Sequence, residues 1–318
     1  MDMTASPPIV TLTLNPALDV SSAVDVVAPT HKLRCDEPQE ESGGGGINVS
    51  RVCKRLGEPT IAVAPLGGGI GHQVGSLLSA EGIATRCIEI EENTRQSITI
   101  LENSTGDQYR FVFPGPVLTK DDLARCCEAV VEVAEGSRCL VISGSVPSGS
   151  DDALTAELVE RLPNTAVVVD TSGEALAAAL QSGAHLVKPS ARELSRVVNA
   201  ELRTEAEVEA AARDLLGRSR VDGLVVSIGA GGAIAVPATG PSIRLRAPTV
   251  QVRSAVGAGD SMVAGLAVGV HRGWDLRESA KLGVAAGTAT VLSDGTMLCD
   301  PVDVDALLPL VVIDGRGI

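Results

Sequence analysis

Short runs of β-branched and aliphatic residues recur along this chain with helical segments between them, and that alternation restricts the fold more than any other property. IVTLTLNP (9–16) reads as a buried first strand ending at Pro16. Ile47 to Leu56 then reads as helix, TIAVAP as strand and Gly71 to Ala80 as helix, with Gly57 and Gly82 as stops. The rhythm resumes after residue 118. Thr119 caps a helix to about Glu135, CLVIS (139–143) is a strand, Asp151 to Leu162 a helix and AVVVD (166–170) a strand. HLVKP and GLVVSIG predict further strands with helices between them; strands follow near 224–228, 232–236 and 242–246, then helices Gly257 to Arg272 and Asp275 to Leu292. Regular alternation of this kind implies a mostly parallel sheet with helices on both faces, an α/β fold. Composition agrees: the chain is 44% hydrophobic with only four aromatic residues, so Val, Leu, Ile and Ala must fill the core.

Two segments break the rhythm. Residues 20–40 read as extended, and QSITILENSTGDQYRFVFPG (96–115) as a hairpin turning at Ser104 to Asp107. Together they predict a small β-sheet lid inserted into a single domain spanning 1–318. Tyr109, Phe111 and Phe113 stand at period two on one strand, so the face they share must be covered by the main domain, a ligand or a second subunit. A homodimer through the lid is the expectation.

A formal charge of −14 argues against nucleic acid or an anionic membrane as partner. No apolar run reaches the roughly 18 residues a membrane helix needs, and MDMTASPP lacks a basic n-region and an apolar h-region, so a cytoplasmic location is expected. Seven cysteines without C-x-x-C spacing read as reduced thiols, and four histidines without ligand spacing give no basis for a histidine metal site.

Chemistry concentrates in SAVGAGDSMVAGLAVG (254–269). Gly257, Ala258 and Gly259 stand where a loop enters an apolar helix, so their N–H groups can converge on one anion with help from the helix dipole. Asp260 lies in that first turn, where the dipole is expected to hold it ionised, ready to deprotonate an alcohol beside a phosphate bound in the nest. The plainer reading is a small-residue helix start with an acidic cap. No G-x-x-x-x-G-K-[ST] and no spaced G-x-G-x-x-G occurs, so phosphoryl transfer would need a scaffold other than a P-loop, and a nicotinamide-dependent oxidoreductase has no fingerprint to rest on. Four consecutive glycines, Gly43 to Gly46, precede the helix at Ile47 and suit either a flexible linker or close approach of a ligand to bare backbone.

VGAGD near the C-terminus, with a glycine run near residue 45, resembles the ribokinase-type carbohydrate kinases. TLTLNPALD, KLRC, GGGGINVSR, TRQS, QYRFVFPG, VISGSVPSG, DTSGEAL and LVKPSARE support the likeness in order, from the first strand to about residue 300. The resemblance implies a ribokinase-like α/β body whose small β lid also forms a dimer interface, and ATP-dependent phosphorylation of fructose 6-phosphate at its 1-hydroxyl. By similarity Asp260 is the base and Gly257, Ala258 and Gly259 the anion hole, with roughly 3–4 kcal/mol from each donor. Asp19 and Asn48 would hold sugar hydroxyls, Gly43, Gly44, Gly45 and Gly46 would leave room for the sugar phosphate, and Ser145 would touch substrate. Lys32, Arg34, Arg95 and Arg110 would be the phosphate and nucleotide cations. Lys188, Ser190, Ser227, Gly229, Gly232, Val284, Gly287 and Thr288 match positions lining the ATP site. The family's N-x-x-E motif for magnesium reads here Ser190-Ala-Arg-Glu193, implying altered magnesium dependence. Ser254, Val256, Thr290, Ser293 and Gly295 resemble a monovalent-cation loop, with potassium the expected ion. Related 1-phosphofructokinases carry a lysine inside the glycine segment and this chain does not, which favours fructose 6-phosphate. Tagatose 6-phosphate kinase, 1-phosphofructokinase and a catalytically weak sugar-phosphate or nucleotide sensor stay open as alternatives.

Overall fold

The computed structural model describes residues 6–147, 153–293 and 295–314. In chain order the strands are β1 (Ile9–Leu12), β2 (Ala17–Val24), β3 (Gln39–Gly43), β4 (Thr60–Gly67), β5 (Ala84–Ile90), β6 (Arg95–Glu102), β7 (Gln108–Val112), β8 (Cys139–Ser143), β9 (Ala166–Asp170), β10 (Leu186–Val187), β11 (Gly223–Ser227), β12 (Ala233–Pro237), β13 (Ile243–Arg246) and β14 (Val312–Asp314). The helices are α1 (Gly45–Arg55), α2 (Gly68–Ala80), α3 (Lys120–Ala134), α4 (Leu154–Arg161), α5 (Gly173–Ala179), α6 (Ala191–Val198), α7 (Glu205–Gly217), α8 (Ala258–His271), α9 (Leu276–Thr290) and α10 (Pro301–Leu307).

Ten strands form the main sheet in the order β14-β13-β12-β11-β10-β9-β8-β1-β4-β5. Pairing is parallel from β5 to β11 and antiparallel from β11 to β14. Strand pleating sends Val10 and Leu12 into a core beneath α3 to α7, and Ile9 into a second core beneath α1, α8, α9 and α10. α2 covers Ala62 and Ala64 of β4 in a third cluster beside the lid. Both faces are thus sealed by aliphatic side chains, as the alternation requires.

The lid is a separate sheet in the order β3-β2-β6-β7. Its hairpin turns where expected, but the 20–40 segment differs from expectation: β2 starts at Ala17, and 25–38 forms an exposed connection before β3. The first strand is also shorter than expected, since the chain leaves the sheet after Leu12 toward Asn15-Pro16, and HLVKP contributes only Leu186–Val187. The expected helix start at Asp151 lies outside the described residues, and α4 is described from Leu154. Thr119 forms the expected cap, exchanging hydrogen bonds with Asp122 in a capping box.

Candidate active site

The sheet has its switch point between β1 and β8. From β1 the sheet grows through β4 to β5 on one side, and from β8 through β9 and β10 to β11 on the other. Ligands of open α/β sheets bind beyond the carboxyl ends of strands at such a reversal. The N-terminus of α1 presses into this crevice, and the glycine run makes the approach possible. A Cβ on Gly45 would stand 2.6 Å from Gly144 N and 2.5 Å from Ser143 Oγ, and one on Gly46 2.7 Å from the Leu12 carbonyl oxygen. Gly44 adopts φ +113, and a Cβ there would meet Thr13 Cγ2 at 2.7 Å. The volume that side chains would take at Gly44, Gly45 and Gly46 is therefore filled by β1, β8 and their flanks. Beside Gly43 it is filled by the Asp19 carboxylate, 2.1 Å from where a Cβ would sit.

Among the described residues, Thr13 Oγ1, Asn15 Oδ1 and Ser143 Oγ lie beside this crevice, buried without a hydrogen bond and with no surface open to a ligand. Ser42 Oγ is also buried without one, on the opposite face of β3 with Leu18. Asn15 donates to Ser145 Oγ at 3.0 Å, which brings Ser145 to the crevice. Asp19 lies on β2 facing it; burial lifts its pKa to about 6, against the pull of Arg95 and Arg110. Arg95 donates to the Asn15 carbonyl oxygen at 3.2 Å, and Arg110 lies exposed on β7. Lys32 and Arg34 are exposed on the β2–β3 connection and make no ion pair among the described residues. The structure does not gather these two with the rest.

Across the crevice, Gly257 takes φ +76 as the N-cap of α8, and Asp260 follows in the first turn. The N–H groups of a helix's first turn have no intrahelical partner, so those of Ala258 and Gly259 are free for an anion. Asn48 Nδ2 of α1 donates to Asp260 Oδ2 at 2.8 Å across 212 residues of sequence. That single contact joins the glycine segment to the helix start. The expectation of an aspartate held ionised by the helix dipole is overturned: burial, then Asp170, lift Asp260 to about 7, outweighing the Asn48 bond and Lys188. A carboxylate poised there can take a proton near neutral pH.

Lys188 stands beside this group, its Nζ 3.0 Å from Asp170 Oδ1 and 4.0 Å from the position of a Cβ on Gly259. Burial works against its charge, but Asp170, Glu193 and Asp260 raise its pKa and keep it protonated. Burial raises the pKa of Asp170 as well, with Lys188 opposing. Sequence reasoning missed Asn15 and Asp170 as site residues. Each lies in a quoted motif, TLTLNPALD or DTSGEAL, and only its contact with Ser145 or Lys188 singles it out.

Beyond Gly259 opens a cavity of about 410 Å³. Ser227, Gly229, Gly232, Val284, Gly287 and Thr288, all expected to contact nucleotide, line it with Ala258 and Gly259. Its floor is a close helix pair: Cβ atoms on Gly265 and Gly269 would meet Gly283 N at 2.6 Å and Ser279 Oγ at 2.4 Å, so α8 and α9 touch backbone to backbone. Lys188 and Ser190 flank the cavity from the ends of β10 and α6 without lining it, and Ser227 N bonds to the Pro189 carbonyl oxygen at 3.0 Å. Ser190 and Glu193 form a capping box, with Glu193 Oε2 accepting from Ser190 N at 2.8 Å and Oγ at 2.9 Å. The serine in place of the family's asparagine thus caps α6 and engages one oxygen of Glu193. Among the described residues no three His, Cys, Asp or Glu side chains form a metal-ligand set.

Behind the α8 start, residues 253–257 meet residues 291–293 and 295–297: Ser254 Oγ donates to the Gly295 carbonyl oxygen at 2.6 Å, and Arg253 N to that of Val291 at 2.8 Å. Thr290 Oγ1 donates to Ser261 Oγ at 2.6 Å, Ser293 N to the Thr290 carbonyl oxygen at 3.0 Å, and Val256 N to Ser254 Oγ at 3.3 Å. Ser254, Val256, Thr290, Ser293 and Gly295 are therefore together, offering hydroxyl and carbonyl oxygens.

Residues 13–303 match the pfkB family of carbohydrate kinases. The chain is 42% identical to ATP-dependent 6-phosphofructokinase isozyme 2 of Mycobacterium tuberculosis, over 96% of this chain and 90% of that one. To the enzyme of the same name from Escherichia coli it is 40% identical, over 92% and 94%. Phosphofructokinase-2 from Escherichia coli in complex with potassium superposes with a TM-score of 0.89 at 38% identity, covering 95% of this chain and 98% of that one. The same enzyme in complex with fructose-6-phosphate gives 0.88 at 37% identity with the same coverage. Among the described residues no helix is long and apolar enough to cross a membrane.

Proposed function

The chain belongs to the pfkB family of carbohydrate kinases, and from that premise we propose that it is an ATP-dependent 6-phosphofructokinase, transferring the γ-phosphoryl group of ATP to the 1-hydroxyl of fructose 6-phosphate. The observation that carries the reading is the Asn48–Asp260 hydrogen bond, which sets a carboxylate of pKa about 7 between the crevice at the sheet's switch point and a helix N-terminus.

Sugar hydroxyls take Asp19, Asn48 and Ser145 as partners, with Arg95 and Arg110 available for the 6-phosphate. The nucleotide lies in the 410 Å³ cavity with its γ-phosphate over Ala258 and Gly259. Asp260 accepts the proton of the 1-hydroxyl as that oxygen bonds to the γ-phosphorus and the bond to the ADP oxygen breaks. Negative charge on the transferring group is met by the α8 N–H groups and by the Lys188 ammonium. Magnesium neutralises nucleotide phosphates when bound. Asp170 and Glu193 are hard oxygen donors that suit it, in the pattern of one or two carboxylates plus phosphate oxygens. The oxygen-only donors of loops 253–257 and 291–297 likewise suit potassium, which would stiffen the turn behind the anion hole.

The lid supports a homodimer. β7 is exposed along its length, with Phe111 53% accessible and Phe113, just past its end, 49%, so the main domain is not what covers the aromatic face.

An ADP-release assay with fructose 6-phosphate, tagatose 6-phosphate and fructose 1-phosphate tests the reading. The highest kcat/KM is expected on fructose 6-phosphate; equal or better use of fructose 1-phosphate refutes it.

A further inference from the structure

The connection from α9 to α10 is held from two sides. Arg55 of α1 donates to the carbonyl oxygens of Leu298 at 2.8 Å and Cys299 at 3.1 Å. Thr296 Oγ1 donates to Glu41 Oε2 on lid strand β3. The other oxygen of Glu41 accepts from Arg51 at 2.9 Å, and Arg51, 5% exposed, also reaches Glu81 at the end of α2 at 2.7 Å. Asn48, Arg51 and Arg55 share one face of α1 at i, i+3 and i+7. That face therefore touches Asp260, the lid strand and the loop that meets Ser254.

Glu41 also stands directly opposite Asp19 in the β2–β3 ladder. Like charges in that arrangement repel, so the Glu41 carboxylate needs donors that hold it in place. Arg51 supplies one from within the lid–α1 contact. Thr296 supplies the other from the loop behind the anion hole, and its hydroxyl is the one direct side-chain bond between the lid sheet and that loop among those described.

We propose that Thr296 is a positioning residue whose bond to Glu41 couples lid strand β3 to loop 291–297, so that cation occupancy of the loop and closure of the lid over the sugar reinforce each other. The inference rests on the kinase reading for its purpose, and on the Thr296–Glu41 contact alone for its existence. By linkage the effect is reciprocal: whatever the cation does to the strand, a ligand ordering the strand does to cation affinity.

The test needs neither sugar nor ATP. Hydrogen exchange of the full-length protein is compared in sodium and potassium chloride for wild type, Thr296→Val and Thr296→Ser. Potassium is expected to slow exchange over 39–43 by about tenfold, the scale of one charge-assisted hydrogen bond, in wild type and Thr296→Ser. In Thr296→Val slowing is confined to 291–297. Thr296→Ala removes the same hydroxyl, leaves the Glu41–Arg51 pair in place, and serves if Thr296→Val does not fold. In turnover, Thr296→Val raises KM for fructose 6-phosphate while kcat stays within about twofold, which loss of fold would not do. Undiminished slowing at 39–43 in Thr296→Val, or none in wild type, overturns the coupling. Failure of the kinase reading registers separately, as absence of ADP release from wild type.

Discussion

Truncating Asn48 to alanine should move the acid limb of the pH–rate profile, and the size of the move follows from one hydrogen bond. Asn48 Nδ2 lies 2.8 Å from Asp260 Oδ2 and lowers a pKa that burial and Asp170 have lifted to about 7. A hydrogen bond to a charged group contributes about 1.5–3 kcal/mol, and 1.36 kcal/mol corresponds to one pH unit, so its loss should carry Asp260 up by about 1–2 units. The sign is fixed by the role: a base works ionised, so activity falls as pH drops through its pKa, and a higher pKa shifts that fall toward alkaline pH. At about pH 7.5 the ionised fraction would drop roughly eightfold, and raising the pH to about 9.5 would restore it. The assay is kcat/KM for fructose 6-phosphate against pH, which reports the free enzyme. Any contact Asn48 makes with the sugar lowers the plateau instead, and no pH recovers that part. An acid limb left in place, or displaced toward lower pH, would refute the assignment of Asn48 as the group that keeps the base ionisable.

Asp260→Asn should cost about 10²–10⁴ in kcat. It should also stabilise the fold at pH 8, because a carboxyl at about 7 in the folded protein and 3.8 in the ordinary state contributes stability below pH 3.8 that is lost as pH rises through 7. With a discount for partial exposure the gain is about 2 kcal/mol, shrinking by pH 5, and thermal melts at the two pH values measure it; a loss of stability at pH 8 contradicts the burial account. Gly45→Ala forces a Cβ to within 2.6 Å of Gly144 N, so denaturant titration should show a loss of at least about 2 kcal/mol, whereas unchanged stability would mean the glycine serves only to leave ligand space. Phe111→Asp places a charge on the exposed lid strand and should shift sedimentation from dimer to monomer with kcat/KM falling; an unshifted dimer would locate the interface elsewhere.

Most of the scaffold is legible in the sequence because burial on both faces leaves a period-two or continuous aliphatic record, as in AVVVD at β9 or CLVIS at β8. β5 and β14 leave a weaker one. They are edge strands with exposed positions, ATRCIEI and VID, and half-wet strands imitate loops in composition. The site divides the same way. Gly257 to Asp260 can be read locally, since a helix start and its dipole are properties of adjacent residues. The pKa of Asp260 cannot, because it is raised by burial and by Asp170 against the pull of Asn48 and Lys188, all of which depend on elements distant in sequence. The glycine run shows the limit most directly. Bare backbone is visible in GGGG, but whether a ligand or the protein itself occupies the vacated volume depends on where β1 and β8 end. Those ends, at Leu12 and Ser143, fill it with main chain. The glycines let α1 sink into the switch point until Asn48 reaches Asp260, and a side chain at Gly45 or Gly46 would disarm the base by lifting the helix.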